Sequence, residues 1–248
     1  MGYRVKVIRA EDPPEAFPDP AAMGTALGHP EGLIAIGGDL SEERLLYAYA
    51  HGIFPWYNED QPILWWSPDP RAVIRTNDFH LSRSLGKELR SRDWHFSVNR
   101  CFSQVIAGCA GNRGEYGTWI TPEMERAFTL LHEQGHAHSV ESWLEGELAG
   151  GIYGIAMGRM FFGESMFTRI TNGSKVAISA LAYLAEKLGI ELIDCQVSSP
   201  HLETLGMREI SRDAFLAELQ DNEPLMIDPA ALPDGLVTAK PLGKIRQN

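Results

Sequence analysis

The sequence predicts an α+β fold in which a small N-terminal domain (residues 1–69) precedes a larger domain (residues 70–248) with a mixed, mostly antiparallel sheet. Three observations indicate this. Of 248 residues, 44% are hydrophobic and 22% are charged, which is typical of a globular chain with a proper core. Prolines and glycines punctuate the first seventy residues. After the Pro-rich turn at residues 67–70, where the domain boundary is placed, helical and strand-like periodicities alternate.

The N-terminal residues contain one clear strand and one clear helix. Residues 33–36 are an apolar run that ends at a Gly-Gly pair, which predicts a buried strand. Ser41 is expected to cap a helix that ends at Gly52. The predicted apolar face of that helix consists of Leu45, Leu46 and Tyr49. Residues 54–66 are rich in aromatic side chains and are expected to be irregular.

Beyond residue 70, the order of elements matches that of an acyltransferase-type mixed sheet. Strands are predicted over residues 72–75, 94–98, 139–143, 148–156, 160–162 and 192–196. Helices are predicted over residues 81–90, 102–107 and 175–188 and between Thr121-Pro122 and Gly135. Strands 139–143 and 148–156 form a hairpin that turns at Glu145-Gly146, and a strand, a helix and a strand follow it.

The charge balance excludes a polybasic partner surface. Lys and Arg number 22 against 33 Asp and Glu, so the formal net charge is −11. Contact with nucleic acid would require a local basic patch. Helical spacing places Arg83, Lys87 and Arg90 on one face, which is either a solvated surface or a site for phosphates.

Cysteine use and hydropathy indicate a cytoplasmic, soluble protein without membrane contact. The three cysteines cannot form a paired framework, which fits a reducing compartment. The N-terminus has no apolar block of the signal-peptide type, and the longest apolar runs are too short to span a bilayer.

Several common chemical sites find no support. The glycine patterns of nucleotide-binding loops and of serine hydrolases are absent. His136 and His138 have no third ligand at a recognisable spacing, so packing histidines are favoured over a metal site, and no metal is expected.

Polar residues at the ends of apolar strands are the more informative candidates. Glu164 follows Phe161-Phe162, where it is either a surface acid or a buried carboxylate that needs donors or a cation. Asp194 and Gln196 alternate with apolar residues in residues 192–196, which predicts that they share one face of a strand. They form either a polar cluster at a cleft or a structural hydrogen-bonded pair.

Tryptophans cluster in Pro- and Gly-rich stretches. The indoles concerned are Trp56, Trp65, Trp66 and Trp119. They either pack together in a compact loop or form an apolar pocket and a platform on which a nucleotide base stacks.

Together, these segments resemble the leucyl/phenylalanyl-tRNA–protein transferase family. The resemblance is carried by residues 32–41 (GLIAIGGDLS), 52–57 (GIFPWY), 62–71 (PILWWSPDPR), 117–120 (GTWI), 135–141 (GHAHSVE), 163–167 (GESMF) and 192–196 (LIDCQ). It runs in family order from about residue 17 to about residue 220, and the tail from Asp221 is not covered.

The resemblance implies an aminoacyltransferase. It would move Leu or Phe, and in some members Met, from aminoacyl-tRNA to the α-amino group of proteins that begin with Arg or Lys, marking them for N-degron degradation. The implied fold is a small N-terminal domain beside a GNAT-like acyltransferase domain, and the protein is expected to be a monomer that uses no cofactor.

The resemblance also assigns roles to individual residues. Asp194, Gln196 and Glu164 would be catalytic, with Asp194 orienting Gln196 and attracting the cationic N-terminal residue, Gln196 binding the attacking amine, and Glu164 holding the donor's amino group or the acceptor's charge. The donor adenosine and side chain would be bound by Tyr49, Trp56, Trp119, Phe161 and Met166. An acyl-CoA-dependent N-acyltransferase on the same fold is the alternative, although the pyrophosphate loop of acetyltransferases is absent.

Overall fold

The computed structural model describes residues 4–23, 30–111, 120–220, 222 and 226–245. The strands are β1 (Lys6–Ile8), β2 (Leu33–Gly37), β3 (Phe54–Pro55), β4 (Leu64–Trp66), β5 (Arg71–Arg75), β6 (Trp94–Val98), β7 (Ala137–Leu144), β8 (Glu147–Met157), β9 (Met160–Thr168), β10 (Leu192–Gln196), β11 (Arg208–Ile210) and β12 (Val237–Thr238). The α-helices are α1 (Glu42–Ala50), α2 (Arg83–Ser91), α3 (Phe102–Ala110), α4 (Pro122–Glu133), α5 (Gly173–Leu188), α6 (Pro200–Glu203) and α7 (Arg212–Gln220).

The N-terminal residues form a four-stranded sheet in the order β1-β2-β4-β3. The aromatic stretch is therefore not irregular as predicted, because it supplies the two short strands β3 and β4. Trp65 is fully buried, and its indole N–H donates to the carbonyl of Gly37 at 2.8 Å. Strands of two or three residues are too short for a periodicity to reveal them.

Helix α1 has the predicted bounds within a residue or two but buries a charge that the apolar pattern did not predict. Arg44 is buried, and its guanidinium donates to the carbonyl of Asp12 at 2.7 Å and pairs with Asp39. Leu46 is only half-buried. The hydroxyl of Ser41 makes no capping hydrogen bond, and its N–H donates instead to the Asp39 carboxylate.

The larger sheet has eight strands in the order β11-β5-β10-β9-β8-β7-β6-β12. Its only parallel pair is β10 with β9 among the described residues, and the other neighbours are antiparallel. The prediction of an α+β fold with a mixed, mostly antiparallel sheet is confirmed.

Local signals located one turn, one helix start and one helix end of this region correctly, whereas the helix predicted over residues 102–107 extends to Ala110. The β7–β8 hairpin turns at Glu145 and Gly146, both of which have a positive φ. The Thr121 hydroxyl accepts from the N–H of Met124 and caps α4. Helix α5 ends at Gly189, which is left-handed.

The two faces of the larger sheet bury different partners. One face packs against α3, α4 and the N-terminal sheet in a cluster that contains Trp65, Phe128 and Tyr153. The other face packs against α2 and α5 in a cluster that contains Phe161 and Ile178. The chain passes from one sheet to the other between Trp66 and Arg71, where the domain boundary was predicted.

The tail beyond residue 220 joins the larger sheet, although the sequence predicted nothing for it. Strand β12 pairs with β6 through Val237 opposite Phe96 and Thr238 opposite His95. Leu242 then packs into the core, and the carbonyl of Gly243 accepts from the guanidinium of Arg90 on α2.

Candidate active site

The site lies where the two parallel strands β9 and β10 stop pairing and move apart. Strands β9 and β10 pair from Leu192 opposite Met160 to Asp194 opposite Phe162, and the pairing stops there. Each strand then bulges against its other neighbour, so the polar residues that follow lie around an opening in the sheet.

Both bulges insert one extra residue at this opening. In β9, Gly163 and Ser165 face consecutive residues of β8, so Glu164 is the extra residue. In β10, Asp194 and Gln196 face consecutive residues of β5, so Cys195 is the extra residue. Bulges redirect side chains and are frequent beside active sites.

A cavity of about 320 Å³ fills the opening. It is lined by Phe54, Pro55, Trp56, Ile152, Gly163, Glu164, Ser165, Met166, Ile178, Ile193, Cys195, Gln196, Val197, Ser198, Ser199 and Leu202. The walls contain the side chains of Ile152, Met166, Ile178, Ile193 and Leu202, so the cavity suits an apolar group that arrives with polar atoms at one end.

Asp194 is fully buried and is bound by an arginine. Arg71 donates from Nε to Oδ1 at 2.8 Å and from Nη2 to Oδ2 at 2.7 Å, which is the two-pronged geometry of a strong ion pair. Asp194 is not part of the cavity lining, whereas Cys195 and Gln196 are. The predicted shared face of Asp194 and Gln196 is therefore wrong, because the bulge at Cys195 breaks the alternation.

Gln196 has an unusual backbone and an unsatisfied side chain. Its φ is 59°, which is left-handed and uncommon for a residue other than glycine. The N–H of Gln196 donates to Oδ1 of Asp194 at 3.0 Å. The side-chain amide nitrogen is buried and has no hydrogen-bond partner among the described residues, so it is available to a bound molecule.

Glu164 is a partly buried acid whose hydrogen-bond partner lies in the N-terminal part of the chain. The hydroxyl of Tyr49 donates to Oε1 of Glu164 at 2.6 Å. Burial raises the pKa of Glu164 to about 8, and the charge of Asp194 adds to that rise, whereas the Tyr49 hydrogen bond and Arg71 oppose it. Burial and the neighbouring Glu164 likewise raise the pKa of Tyr49 well above its usual value.

The cysteine at the cavity is not an activated nucleophile. Burial, together with the charge of Asp194, raises the pKa of the Cys195 thiol. A thiol with a raised pKa holds little thiolate at neutral pH, and the thiolate is the reactive form.

The structure brings only some of the predicted donor-binding residues to the cavity. Trp56 and Met166 line it, and Trp56 is 44% exposed at its mouth, where its ring lies 6.0 Å from that of Trp66. Tyr49 reaches the site through Glu164. Phe161 does not line the cavity but is buried in the core against Gly154, since it precedes the bulge. Trp119 lies outside the described residues.

The predicted basic face of α2 is exposed, and one end of it lies near the cavity. Arg83, Lys87 and Arg90 are all exposed, although Arg90 is engaged by Gly243. Arg83 lines a shallow groove together with Lys175. On α5, Lys175 lies one turn before Ile178 of the cavity wall, so the groove and the cavity are neighbours.

The two histidines that suggested a metal have ordinary partners. His136 contacts Glu42 at 3.5 Å, and Nδ1 of His138 lies 2.9 Å from the side-chain nitrogen of Asn99. Across residues 4–23, 30–111, 120–220 and 226–245, no three His, Cys, Asp or Glu side chains group as metal ligands would. Within the same residues, no helix has both the length and the apolarity needed to cross a bilayer.

Arg71 pairs with Asp194 beside the cavity, but it was not predicted from the sequence as a site residue. Its signal was a cation directly before the apolar run of residues 72–74, which means that the charge begins a buried strand. A buried cation needs hydrogen-bond acceptors, and Asp194, in another short apolar strand, is an acid that supplies them here.

Sequence comparisons connect this geometry to known proteins. A sequence profile described as leucyl/phenylalanyl-tRNA protein transferase matches residues 73–220, and the profile of that family's N-terminal domain matches residues 38–69. A leucyl/phenylalanyl-tRNA–protein transferase of Shewanella baltica is 52% identical over 217 residues, which cover 87% of this chain and 90% of the relative. The corresponding protein of Shewanella pealeana is 53% identical, covering 84% and 88%.

Solved structures show a weaker likeness. L-PGS from Bacillus licheniformis is 13% identical with a TM-score of 0.40, covering 67% of this chain and 53% of that one. By contrast, the two matched family profiles together include every residue that lines the cavity.

Proposed function

The chain belongs to the leucyl/phenylalanyl-tRNA–protein transferase family, and from this premise we propose that it transfers Leu or Phe from aminoacyl-tRNA to the N-terminal α-amino group of proteins that begin with Arg or Lys. Met is a further proposed donor. The product would carry a new N-terminal residue that marks it for N-degron degradation. The reaction would take place in the cytoplasm and would be carried out by a monomer.

The chemistry is the aminolysis of an ester. The acceptor's ammonium first loses a proton, and its nitrogen then forms a bond to the carbonyl carbon of the donor. The bond between that carbon and the ribose oxygen of the tRNA breaks, and the oxygen leaves with a proton. Because the ester is already activated, positioning and charge stabilisation supply most of the catalysis.

The observation that carries the proposal is an apolar cavity whose lining includes a carboxylate with a raised pKa, Glu164, and an amide without a hydrogen-bond partner among the described residues, Gln196. Ile152, Met166 and Ile178 form walls that suit the side chain of Leu or Phe. Glu164 and Gln196 are among the polar residues of the same lining. A reacting ester bound by its side chain would therefore have its carbonyl near these two residues.

Glu164 is proposed to accept the proton of the acceptor. Its pKa of about 8 is close to that of an α-amino group, which is about 7.7–8.0, so proton transfer between the two is nearly balanced. Once the acceptor's cation arrives, it favours the ionised carboxylate. Asp194 is less suited to receive that cation, because both of its oxygens are engaged by Arg71.

Gln196 is proposed to position the attacking amine. Its side-chain amide is buried beside the cavity, and an amide is too weak a base to remove the proton itself. Asp194 holds the backbone of Gln196 through the 3.0 Å hydrogen bond to its N–H. Asp194 thereby orients Gln196, which agrees with the role that the family resemblance implies.

The tRNA is proposed to approach along α2. Arg83 and Lys175 would contact phosphates in the groove beside the cavity, and Lys87 would extend that contact along the helix. Trp56, exposed at the cavity mouth, offers an indole on which the terminal adenine can stack.

One assay tests the proposed function. Purified protein is incubated with Leu-tRNA that carries a labelled leucine and with a protein substrate that begins with Arg. We expect label on the protein substrate, and none when the substrate begins with an acetylated residue. An acyl-CoA-dependent enzyme would instead transfer label from an acyl-CoA and would be stabilised against heat by coenzyme A. Failure of transfer from Leu-tRNA would overturn the proposal.

A further inference from the structure

We propose that Arg71 is a positioning residue for the transfer reaction, which acts by fixing Asp194 and, through Asp194, the backbone of Gln196. This inference rests on the proposed function, since it assigns the placement of a group that the reaction requires. Arg71 itself does not line the cavity.

The first observation is that Arg71 is almost completely enclosed, with 1% of its side chain exposed. Its guanidinium makes two hydrogen bonds to Asp194 and a third, from Nη1, to the carbonyl of Gly52 at 3.1 Å. The free energy lost when two charges are removed from water offsets much of the attraction between them. A buried ion pair is therefore poor evidence for a purely stabilising role. A geometric role explains why both charges are present at the site.

The second observation is that the guanidinium of Arg71 contacts the faces of two aromatic rings. The guanidinium carbon of Arg71 lies 4.9 Å from the centre of the Phe54 ring and 4.5 Å from that of Phe215. Phe54 belongs to β3 of the N-terminal sheet, and Phe215 belongs to α7. The two rings and the carbonyl of Gly52 limit the movements that are open to the cation.

The third observation links Arg71 to the reacting group. Oδ1 of Asp194 accepts a hydrogen bond from Nε of Arg71 and another from the N–H of Gln196. Gln196 is in the left-handed region, a conformation that persists in such a residue only where its surroundings impose it. Arg71 thus sets the position of the Asp194 carboxylate, which holds the backbone of Gln196 in this conformation. The backbone conformation in turn sets the direction of the Gln196 side chain.

Arg71→Lys separates charge from geometry. Lysine retains the positive charge beside Asp194 but presents a point charge instead of a planar fork. We expect kcat for transfer from Leu-tRNA to an Arg-starting substrate to fall at least about tenfold, since small displacements at a reacting centre are costly. The KM for aminoacyl-tRNA should change less than about twofold, because Arg71 does not touch the donor site.

The matched control is Arg44→Lys. Arg44 is another buried arginine, it binds backbone carbonyls and Asp39, and it has no contact with the cavity. Its variant should lose thermal stability without loss of kcat at a temperature where it is folded. A parallel loss of kcat in both variants would show that Arg71 is only structural and would overturn the inference.

A double-mutant cycle provides a readout that a structural role would not move. If Arg71 acts through Asp194, Arg71→Lys should lower kcat by less than about threefold when Asp194 is already replaced by Asn. Losses that multiply instead would mean that the two residues act separately, which contradicts the inference.

A second variant covers the case in which Arg71→Lys does not fold. Phe215→Leu keeps the residues of the ion pair and removes one of the two rings that contact the guanidinium. We expect a lower kcat with an unchanged KM for aminoacyl-tRNA, whereas an unchanged kcat would overturn the inference. Wild-type protein is assayed alongside, and its failure to transfer Leu would refute the proposed function and not the role of Arg71.

Discussion

Tyr49 and Glu164 are joined by a 2.6 Å hydrogen bond, although they are 115 residues apart in the chain. Tyr49 lies on α1 of the N-terminal residues and Glu164 in the bulge of β9. The acid that faces the cavity is therefore held from the N-terminal side of the molecule. The bond favours the ionised form of Glu164 against the burial that opposes it.

The raised pKa of Glu164 predicts a pH dependence of stability. The folded protein keeps the proton of Glu164 up to about pH 8, whereas the unfolded chain releases it near the usual value of 4.5. Stability should therefore fall as the pH rises from about 4.5 to 8, by up to about 1.4 kcal/mol per pH unit from this residue. Glu164→Gln should remove that component and be more stable than wild type at pH 8. Urea unfolding of both proteins between pH 5 and pH 8 (roughly the predicted window) measures this difference. The same dependence of the free energy of unfolding on pH in both proteins would contradict it.

Removing the Tyr49 hydroxyl should shift the pH dependence of transfer. If Glu164 accepts the proton, kcat/KM should increase with pH as Glu164 ionises. Tyr49→Phe deletes the hydrogen bond that lowers the pKa of Glu164, so the pKa should rise and this increase in kcat/KM should move to higher pH. Tyr57→Phe is the control, because Tyr57 is also buried and its hydroxyl contacts Thr121, which lies outside the cavity lining. Identical pH profiles for Tyr49→Phe and wild type would exclude Glu164 as the proton acceptor.

The α2 face predicts the salt dependence of tRNA binding. Replacing Arg83, Lys87 and Arg90 together by Ala should reduce the slope of log affinity against log salt by about two units, one each for the first two residues. Arg90→Ala alone should change the slope little, because its guanidinium is engaged by Gly243. Lys187→Ala is the control, since Lys187 lies twelve residues beyond Lys175, or about 18 Å along α5. A triple variant that keeps the wild-type slope would place the phosphates elsewhere.

The apolar walls of the cavity predict the choice of donor. Leu buries three more carbons than Ala, at about 0.8 kcal/mol each, so Leu-tRNA should exceed Ala-tRNA by on the order of 50-fold in kcat/KM. Met166→Ala should narrow that ratio, because Met166 is one of the walls. Met226→Ala should leave it unchanged, since Met226 is exposed and outside the cavity. Equal rates with Leu-tRNA and Ala-tRNA would refute this use of the cavity.

The polar end of the site predicts two different losses of turnover. Asp194→Asn keeps the shape of the side chain but removes the charge that Arg71 balances, and it should lower kcat/KM for an Arg-starting substrate at least about tenfold. Gln196→Ala should lower kcat with little effect on the affinity for either substrate, as expected of a group that acts mainly in the transition state. Steady-state kinetics with both substrates varied distinguish the two. Turnover of Asp194→Asn at the wild-type rate would mean that Asp194 has no part in catalysis.

Features that depend on neighbouring residues were predictable from the sequence. The Thr121 cap of α4 and the Glu145-Gly146 turn are set within four residues, and both are present. The end of α5 at Gly189 follows from the same kind of local preference. Each of these signals is independent of the rest of the fold.

The arrangement of the site was predictable only in part. Glu164 and Gln196, two of the residues singled out in the sequence, line one cavity, but strict alternation placed Asp194 and Gln196 on the same face of the strand. A one-residue bulge reverses the direction of every side chain that follows it, and no local pattern marks it. The pair of Arg71 with Asp194 spans 123 residues, so it depends on which strands become neighbours.

The tail strand β12 has a consequence for how copies of the protein behave toward one another. Without it, the five residues of β6 would present unpaired backbone groups at the border of the larger sheet, and such a border is a template for pairing with another chain. With it, the sheet ends at Val237–Thr238 on one side and at Arg208–Ile210 on the other, both too short to recruit a neighbouring molecule. Because Val237 and Thr238 cover part of this border, we expect a protein shortened after Gln220 to aggregate more readily than the full chain.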